Sequence, residues 1–346
     1  MKRFLTALAI SIVSTAAFAQ VADRDVLVTP EGTVYTVEQQ SPSPSSAVDA
    51  TTFLSLSIQN GAAEPQRLLV PASLSAGYHS AGALAYDADS KTLFVLWIHS
   101  PNFMSSELLL ASYRDGKWQP AVSIGDQRYS IRQNLRLGIT RRVSQLQKDG
   151  TYADVPALLL HAVWWEDTSH GNEAHYAMLP IENGALSQSE IELHSLEEFV
   201  AADEPVNAAD PNFNPEILRH PAVVSTAMQS SVDIVFGDSQ KNSVHKITLH
   251  PIANTRIHIP IGIGGNGDGK PAPFIVAPLS FHADWKGPVT VLAHGDRLVF
   301  ANASDNALSY LTYANGSWSD VKSIALDARF SAEAALAAVD KMVSSQ

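Results

Sequence analysis

Short runs rich in Val, Ile, Leu, Phe, Trp and Tyr recur along the chain, broken by Asp-Gly, Asn-Gly, Ser-Ser and Gly-Asp turns, and helical periodicity is missing until the last residues. Such runs bounded by turn signals predict strands, so the chain reads as nearly all β. Aligning the runs on one apolar or aromatic position (Val37, Trp97, Trp165, Phe236 and Phe300) gives intervals of 60, 68, 71 and 64 residues. Around each anchor the same order can be written: a strand A before it, B on it, C and D after it. The second unit is the clearest, with A in GALAYD, B in LFVLWI, C in ELLLASY and D in WQPAVSIG; the last unit repeats it with VTVLAHGD, RLVFAN, ALSYLTY and WSDVKSIAL. The third reads NLRLGITRRV, ALLLHAVWW, EAHYAML and ALSQSEIELH, and the fourth PAVVSTAM, VDIVFGD, SVHKITLH and RIHIPIGI. The first is the weakest, with DVLVTP, TVYTVE, TTFLSLSIQ and QRLLVPAS.

Five units, each too small to bury both of its faces, predict an all-β fold: a β-propeller of five four-stranded blades, in which each sheet packs on the next. A pair of β-sandwiches is the competing all-β arrangement, and a repeat of this length favours the propeller. Ser331 can cap a short helix running to Val343, with Leu336, Val339, Met342 and Val343 on the side that packs on the barrel. The expected organisation is a leader over 1–19, the propeller over 20–330, and the helix and tail over 331–346.

Two hairpins share the signature Tyr-x-[Asp/Asn]-Gly-x-Trp, carried by Tyr113, Asp115, Gly116 and Trp118 and by Tyr313, Asn315, Gly316 and Trp318. Asp-Gly and Asn-Gly supply the positive φ that a tight hairpin needs. In SYRDGKWQPAVSIG and TYANGSWSDVKSIA the chain resembles the neuraminidase-type repeat propellers, and the same hairpin is similar to that of fucose-binding lectin propellers. The Asp box of the former reads Ser-x-Asp-x-Gly-x-Thr-Trp, whereas here Asp115 and Gly116 are adjacent, and the sialidase arginine triad has no counterpart. The resemblance implies a blade design and does not imply sialidase activity.

The first residues change the picture of compartment. Lys2 and Arg3 precede an apolar run from Phe4 to Phe18, closed by Ala17-Phe18-Ala19 before Gln20, the layout of a secretory signal peptide. The expected location is therefore exported, periplasmic or secreted. No later stretch reaches the roughly 20 apolar residues that span a bilayer. The chain has no Cys, which removes disulfides, thiolate zinc sites and cysteine nucleophiles together. Loss of the leader moves the formal charge from −12 to −14, which opposes binding to nucleic acid, where affinity rests on Lys and Arg neutralising phosphates.

In a propeller the B-to-C and D-to-A connections share one end. The connections over roughly 195–220 and 262–287, with the Ser/Pro-rich SPSPSSAVDA, make that end the expected recognition face. Just after each B strand stand His99, Glu166 with Asp167, Asp238 and Asn302. Glu166 and Asp238 would be the acid and base or nucleophile of a glycosidase, with His170 beside them; the bland alternative is that strand ends are simply polar. Trp285 is the candidate sugar platform, since an aromatic on a loop is harder to explain by packing, whereas Trp164 and Trp165 are expected in the core. Gly237-Asp238-Ser239 lacks the downstream Asp-x-x-His of the Gly-Asp-Ser-Leu esterases. GIGGNGDGK fits neither a P-loop nor an EF-hand, so no cofactor and no transition metal are expected, with weak calcium binding left open.

The leading expectation is an exported binding propeller that recognises a glycan or protein ligand. The alternatives are a polysaccharide-active hydrolase or lyase using the same carboxylates, and a structural subunit of an envelope complex.

Overall fold

The structure, a computed structural model, describes residues 24–326 apart from 42–50, 62, 81, 103–104, 129, 169–170, 188–190, 197–220, 226–229, 239–242, 253–273, 280–284, 286–288, 295–296, 305 and 315–316, together with Ala335, Ala338, Val339 and Met342. It is a five-bladed β-propeller built from five antiparallel sheets. Blade one is β1 (Arg24–Val28), β2 (Thr33–Gln40), β3 (Phe53–Asn60) and β4 (Gln66–Leu69), paired in that order. Blade two holds β5 (Tyr78–His79) and β6 (Ala83–Asp87) as a divided inner strand, then β7 (Thr92–Asn102), β8 (Ser105–Arg114), β9 (Lys117–Trp118) and β10 (Val122–Arg128). Blade three is β11 (Ile131–Leu146), β12 (Tyr152–Thr168), β13 (Gly171–Glu182), β14 (Ala185–Leu186) and β15 (Glu192–Ser195). Blade four is β16 (Ala222–Ser225), β17 (Val232–Asp238), β18 (Ser243–Leu249) and β19 (Phe274–Leu279). Blade five is β20 (Val289–His294), β21 (Arg297–Ala303), β22 (Ala307–Ala314), β23 (Ser317–Trp318) and β24 (Lys322–Ala325).

The five anchors all fall on second strands. They do not share a face. Trp97 packs back against Leu54 and Leu56 of blade one, while Phe94, Leu96 and Ile98 on the other side of β7 meet Leu160, Ala162 and Trp164 of blade three. Trp165 points the opposite way, into a cluster with Ile234 and Phe236 of blade four. Both consecutive tryptophans of β12 are thus core residues in different cores, as alternation along a strand requires. Burying a side chain of this size stabilises the fold by about 1.5–3 kcal/mol. Ala335 and Val339 are fully buried in a cluster with Val299, Ala301, Leu308 and Tyr310 of blade five, which fits the expected helix on the barrel, whereas Met342 is 37% exposed instead of facing the core.

One strand assignment is overturned. The fourth strand of blade four is β19, whose Phe274 lies opposite Leu249 and Leu279 opposite Val244, in the place expected for RIHIPIGI; that segment lies within 253–273, outside the described residues. The long connection of this blade therefore joins C to D and leaves from the end that carries the A-to-B turns. Ser144 near the tip of β11 accordingly bonds through its N–H to Pro251 O at 3.0 Å. Trp285 falls between β19 and β20, in a connection of only 280–288.

The signature hairpins are two-residue turns: Tyr113 pairs with Trp118 and Arg114 with Lys117, around Asp115 at φ 50° and Gly116 at φ 76°. A third copy lies at Asn183 and Gly184, with Ile181 and Leu186 in the places of Tyr and Trp.

The inner strands leave one hydrogen-bonding edge facing the axis, and side chains of neighbouring blades occupy it. Asp25 of β1 accepts from Leu84 N of β6 at 2.8 Å, and Ser225 of β16 accepts from Ile139 N of β11 at 2.8 Å. Arg141 of β11 pairs with Asp87 and with Asp89 beyond β6. Gly138 lets β16 approach, since a Cβ there would meet Val223 Cγ1 at 2.4 Å and Ser225 Oγ at 2.5 Å.

Candidate functional site

The end of the propeller bearing the B-to-C hairpins gathers the polar residues of blades two and three into one network. In blade two, His79 of the inner strand lies opposite His99 of β7, and their rings stack at 4.4 Å with 12° between planes. Trp97 Nε1 donates to His79 Nδ1 at 3.2 Å, which leaves the proton on Nε2, directed at Ser75 O at 3.2 Å. Burial, with the neighbouring His99 adding to it, lowers the His79 pKa to about 4, so its ring is neutral near pH 7. His99 faces an acceptor at each nitrogen, Glu107 Oε1 at 2.9 Å and Ala76 O at 3.1 Å.

Glu107 is 25% exposed and its second oxygen accepts from Ser123 Oγ at 2.9 Å. Its neighbour Ser106 carries the network into blade three. Ser106 Oγ donates to Ser130 O at 2.9 Å, and Ser106 O accepts from Arg132 Nη1 at 3.2 Å.

Arg132 and Glu166 are cross-strand partners on β11 and β12, and their side chains are 4% and 2% exposed. Glu166 accepts from Ser130 Oγ at 2.5 Å, Trp164 Nε1 at 3.0 Å and Arg132 Nε at 3.4 Å. Burial alone would raise this carboxyl; the bonds from Ser130 and Trp164 and the charges of Arg132 and His175 outweigh it and hold the pKa below the ordinary 4.5. The guanidinium also lies over the Trp164 ring, 5.8 Å from its centre, and His175 stacks against that indole at 5.7 Å. His175 Nε2 stands 3.8 Å from Glu166 and 3.5 Å from Glu173, whose side chain is 29% exposed.

Asp167, next along β12, turns to the other side and is half-buried. It accepts from Trp165 Nε1 at 3.2 Å and Gln133 Nε2 at 3.0 Å. The expected residues therefore separate. Glu166 and His99 are buried members of the network, and Asp167 is fixed through both carboxylate oxygens and half-buried. Asp238 ends β17 opposite Ser243, and its side chain lies outside the described residues, as do His170 and the 262–270 loop proposed for weak calcium. Asn302 is buried on β21 between Val289 and Ser309, and Trp285 is half-buried. Among the described residues no group of three or more His, Asp or Glu side chains is arranged to hold a metal ion.

Arg132, His79, Glu107, Glu173 and His175 escape the sequence reading. Four-strand registers would have paired Arg132 with Glu166 and Trp164 with His175. The obstacle is a β-bulge between Gln133 and Arg136, with Asn134 at φ 55°, which breaks the alternation and moves the apparent start of β11 past Arg132. Chemically the arrangement offers fixed acceptors at Asp167, Glu107 and Glu173, which suit hydroxyl or cationic donors. It offers no proton donor at Glu166, which is held ionised.

No protein-family model matches the chain, and no curated protein sequence matches it. Solved structures do resemble it in part. A protein of unknown function from Dyadobacter fermentans is 13% identical over 90% of this chain and 84% of its own, with a TM-score of 0.47. A GH43_1 enzyme from Xanthomonas citri is 13% identical over 90% and 88%, at 0.36. A GH43 β-xylosidase/α-arabinofuranosidase from a compost metagenome, bound to xylotriose, is 11% identical over 90% and 92%, at 0.36. Likeness of this degree identifies no activity.

Proposed function

We propose that the chain is an exported, non-catalytic binding propeller that recognises a glycan at the B-to-C end of blades two and three. What supports the reading is the state of Glu166: covered, ion-paired with Arg132 and held below the usual carboxylate range, it is a structural anchor and no acid or base. At the same end of the propeller, Asp167 is oriented by Trp165 and Gln133, Glu107 by Ser123 and His99, and Glu173 by Ser195, so their carboxylates are already fixed. Oriented acceptors need no reordering when a sugar hydroxyl arrives. Export rests on the leader ahead of Gln20.

The test is a glycan array of the purified mature protein with a reducing-sugar release assay in parallel. Asp167→Asn should weaken binding about tenfold, or about 1.4 kcal/mol, with little change in melting temperature. Sugar release by the wild type that disappears in Glu166→Gln would overturn the reading in favour of a hydrolase.

A further inference from the structure

The opposite end of the propeller holds a second feature, on the axis. The inner strands of blades one to four line an open cavity of about 380 Å³ beside the A-to-B turns. Leu27, Leu84, Leu137, Ile139 and Val223 make most of its wall, so its body is apolar. The polar groups that reach it are Thr29, Tyr86, Ser225 and Arg141.

Their hydrogen bonding has one sense. Thr29 Oγ1 accepts from Thr33 N at 3.2 Å, and Ser225 Oγ accepts from Ile139 N at 2.8 Å. A hydroxyl that accepts from the backbone still has its own proton to donate. Tyr86 adds a phenol proton, kept on by burial and the nearby Glu31 and Asp87, which raise its pKa above the ordinary 10. Among the described residues of the wall the one cation is Arg141, which is shared between Asp87 and Asp89. That trio has a net charge of −1, which disfavours an anionic ligand. A volume of this size lies in the range of small-molecule pockets, about 300–1,000 Å³.

We propose that this axial cavity is a second binding site, for a small neutral molecule with an apolar body and a hydrogen-bond-accepting oxygen. It lies at the other end from Asp167 and is independent of the glycan reading.

The probe is 6-propionyl-2-dimethylaminonaphthalene, a neutral aryl ketone whose emission moves to the blue when it leaves water. Titrated into the full mature protein, it should bind saturably at one site with a blue shift. Val28→Trp fills the mouth from a position that is 63% exposed in the wild type, so the fold tolerates it; Ala88→Trp fills the same space from blade two. Each should weaken probe binding at least tenfold while leaving the far-ultraviolet circular dichroism unchanged, and Asp167→Asn should leave it unaltered. Absence of saturable binding, full binding by folded Val28→Trp, or loss confined to Asp167→Asn would overturn the proposal. Binding of an anionic naphthalene sulfonate as tight as that of the ketone would overturn the ligand class.

Discussion

Replacing Glu166 by Gln removes one charge from a pair in which both side chains are almost wholly covered, leaving the Arg132 guanidinium facing a neutral amide. Removing one member of a buried pair costs about 3–5 kcal/mol, because the surviving charge has no compensation. Ser130 and Trp164 donate to different oxygens of Glu166, so the one oxygen of Gln can serve only one of them, and the expected loss is about 3 kcal/mol or more. With a urea slope of roughly 3 kcal/mol/M, the midpoint falls by about 1 M. Arg132→Met strands the carboxylate instead and should cost at least as much. The double variant should recover about 1–3 kcal/mol relative to the sum of the singles. The effect has a definite pH sense. A carboxyl held below 4.5 contributes fully above that value and loses its contribution as pH falls through its folded pKa, so wild type and Glu166→Gln should converge in acid. Urea unfolding followed by fluorescence and circular dichroism together makes the measurement. A Glu166→Gln midpoint within about 0.2 M of wild type, or strict additivity with Arg132→Met, would refute the argument that this carboxylate is an anchor.

His161 is fully buried between Thr140 Oγ1 and the Tyr176 hydroxyl, each at 2.8 Å, and burial lowers its pKa to about 3. The unfolded chain takes up a proton below about 6.5 that the folded state refuses, so stability should fall by about 1.4 kcal/mol per pH unit on acidification from there, and His161→Gln should flatten that slope. Gly138→Ala should cost about 1–3 kcal/mol in thermal unfolding, since the added methyl meets β16 at 2.4 Å. Intact mass of the exported protein should correspond to a chain beginning at Gln20; a retained Met1 in that fraction would remove the export argument.

The fold was legible because each blade is written locally. Turn chemistry at Asp115-Gly116 and the apolar runs around Trp97 and Phe300 state strand ends within a few residues. Blade four resisted because RIHIPIGI and PFIVAP are both apolar runs of strand length. Only pairing with β18 distinguishes them, and pairing is non-local. The site was half legible. Polar residues at strand ends flagged Glu166, Asp167 and His99, but their partners depend on register across a bulge, and no residue pattern signals an Asn at φ 55°. Composition could not separate a reactive carboxylate from an anchored one either, since that difference lies in Arg132 and Ser130.

The two-sided cores alter what a frameshifted pairing would cost. In a sheet with one wet face, slipping by a residue throws apolar groups into water and is rejected on that ground. In β7 both faces are dry, so a slip merely trades Leu96 for Trp97 between two oily interfaces, and hydrophobicity is almost blind to the error. The discriminating contacts are the sparse polar ones: Trp97 to His79, Arg132 to Glu166, Asp25 to Leu84 N, Ser225 to Ile139 N. Each is made at a single offset, so together they behave as a key cut into an otherwise greasy lock, and a variant that blunts several would be expected to stay compact while losing the uniqueness of its pairing.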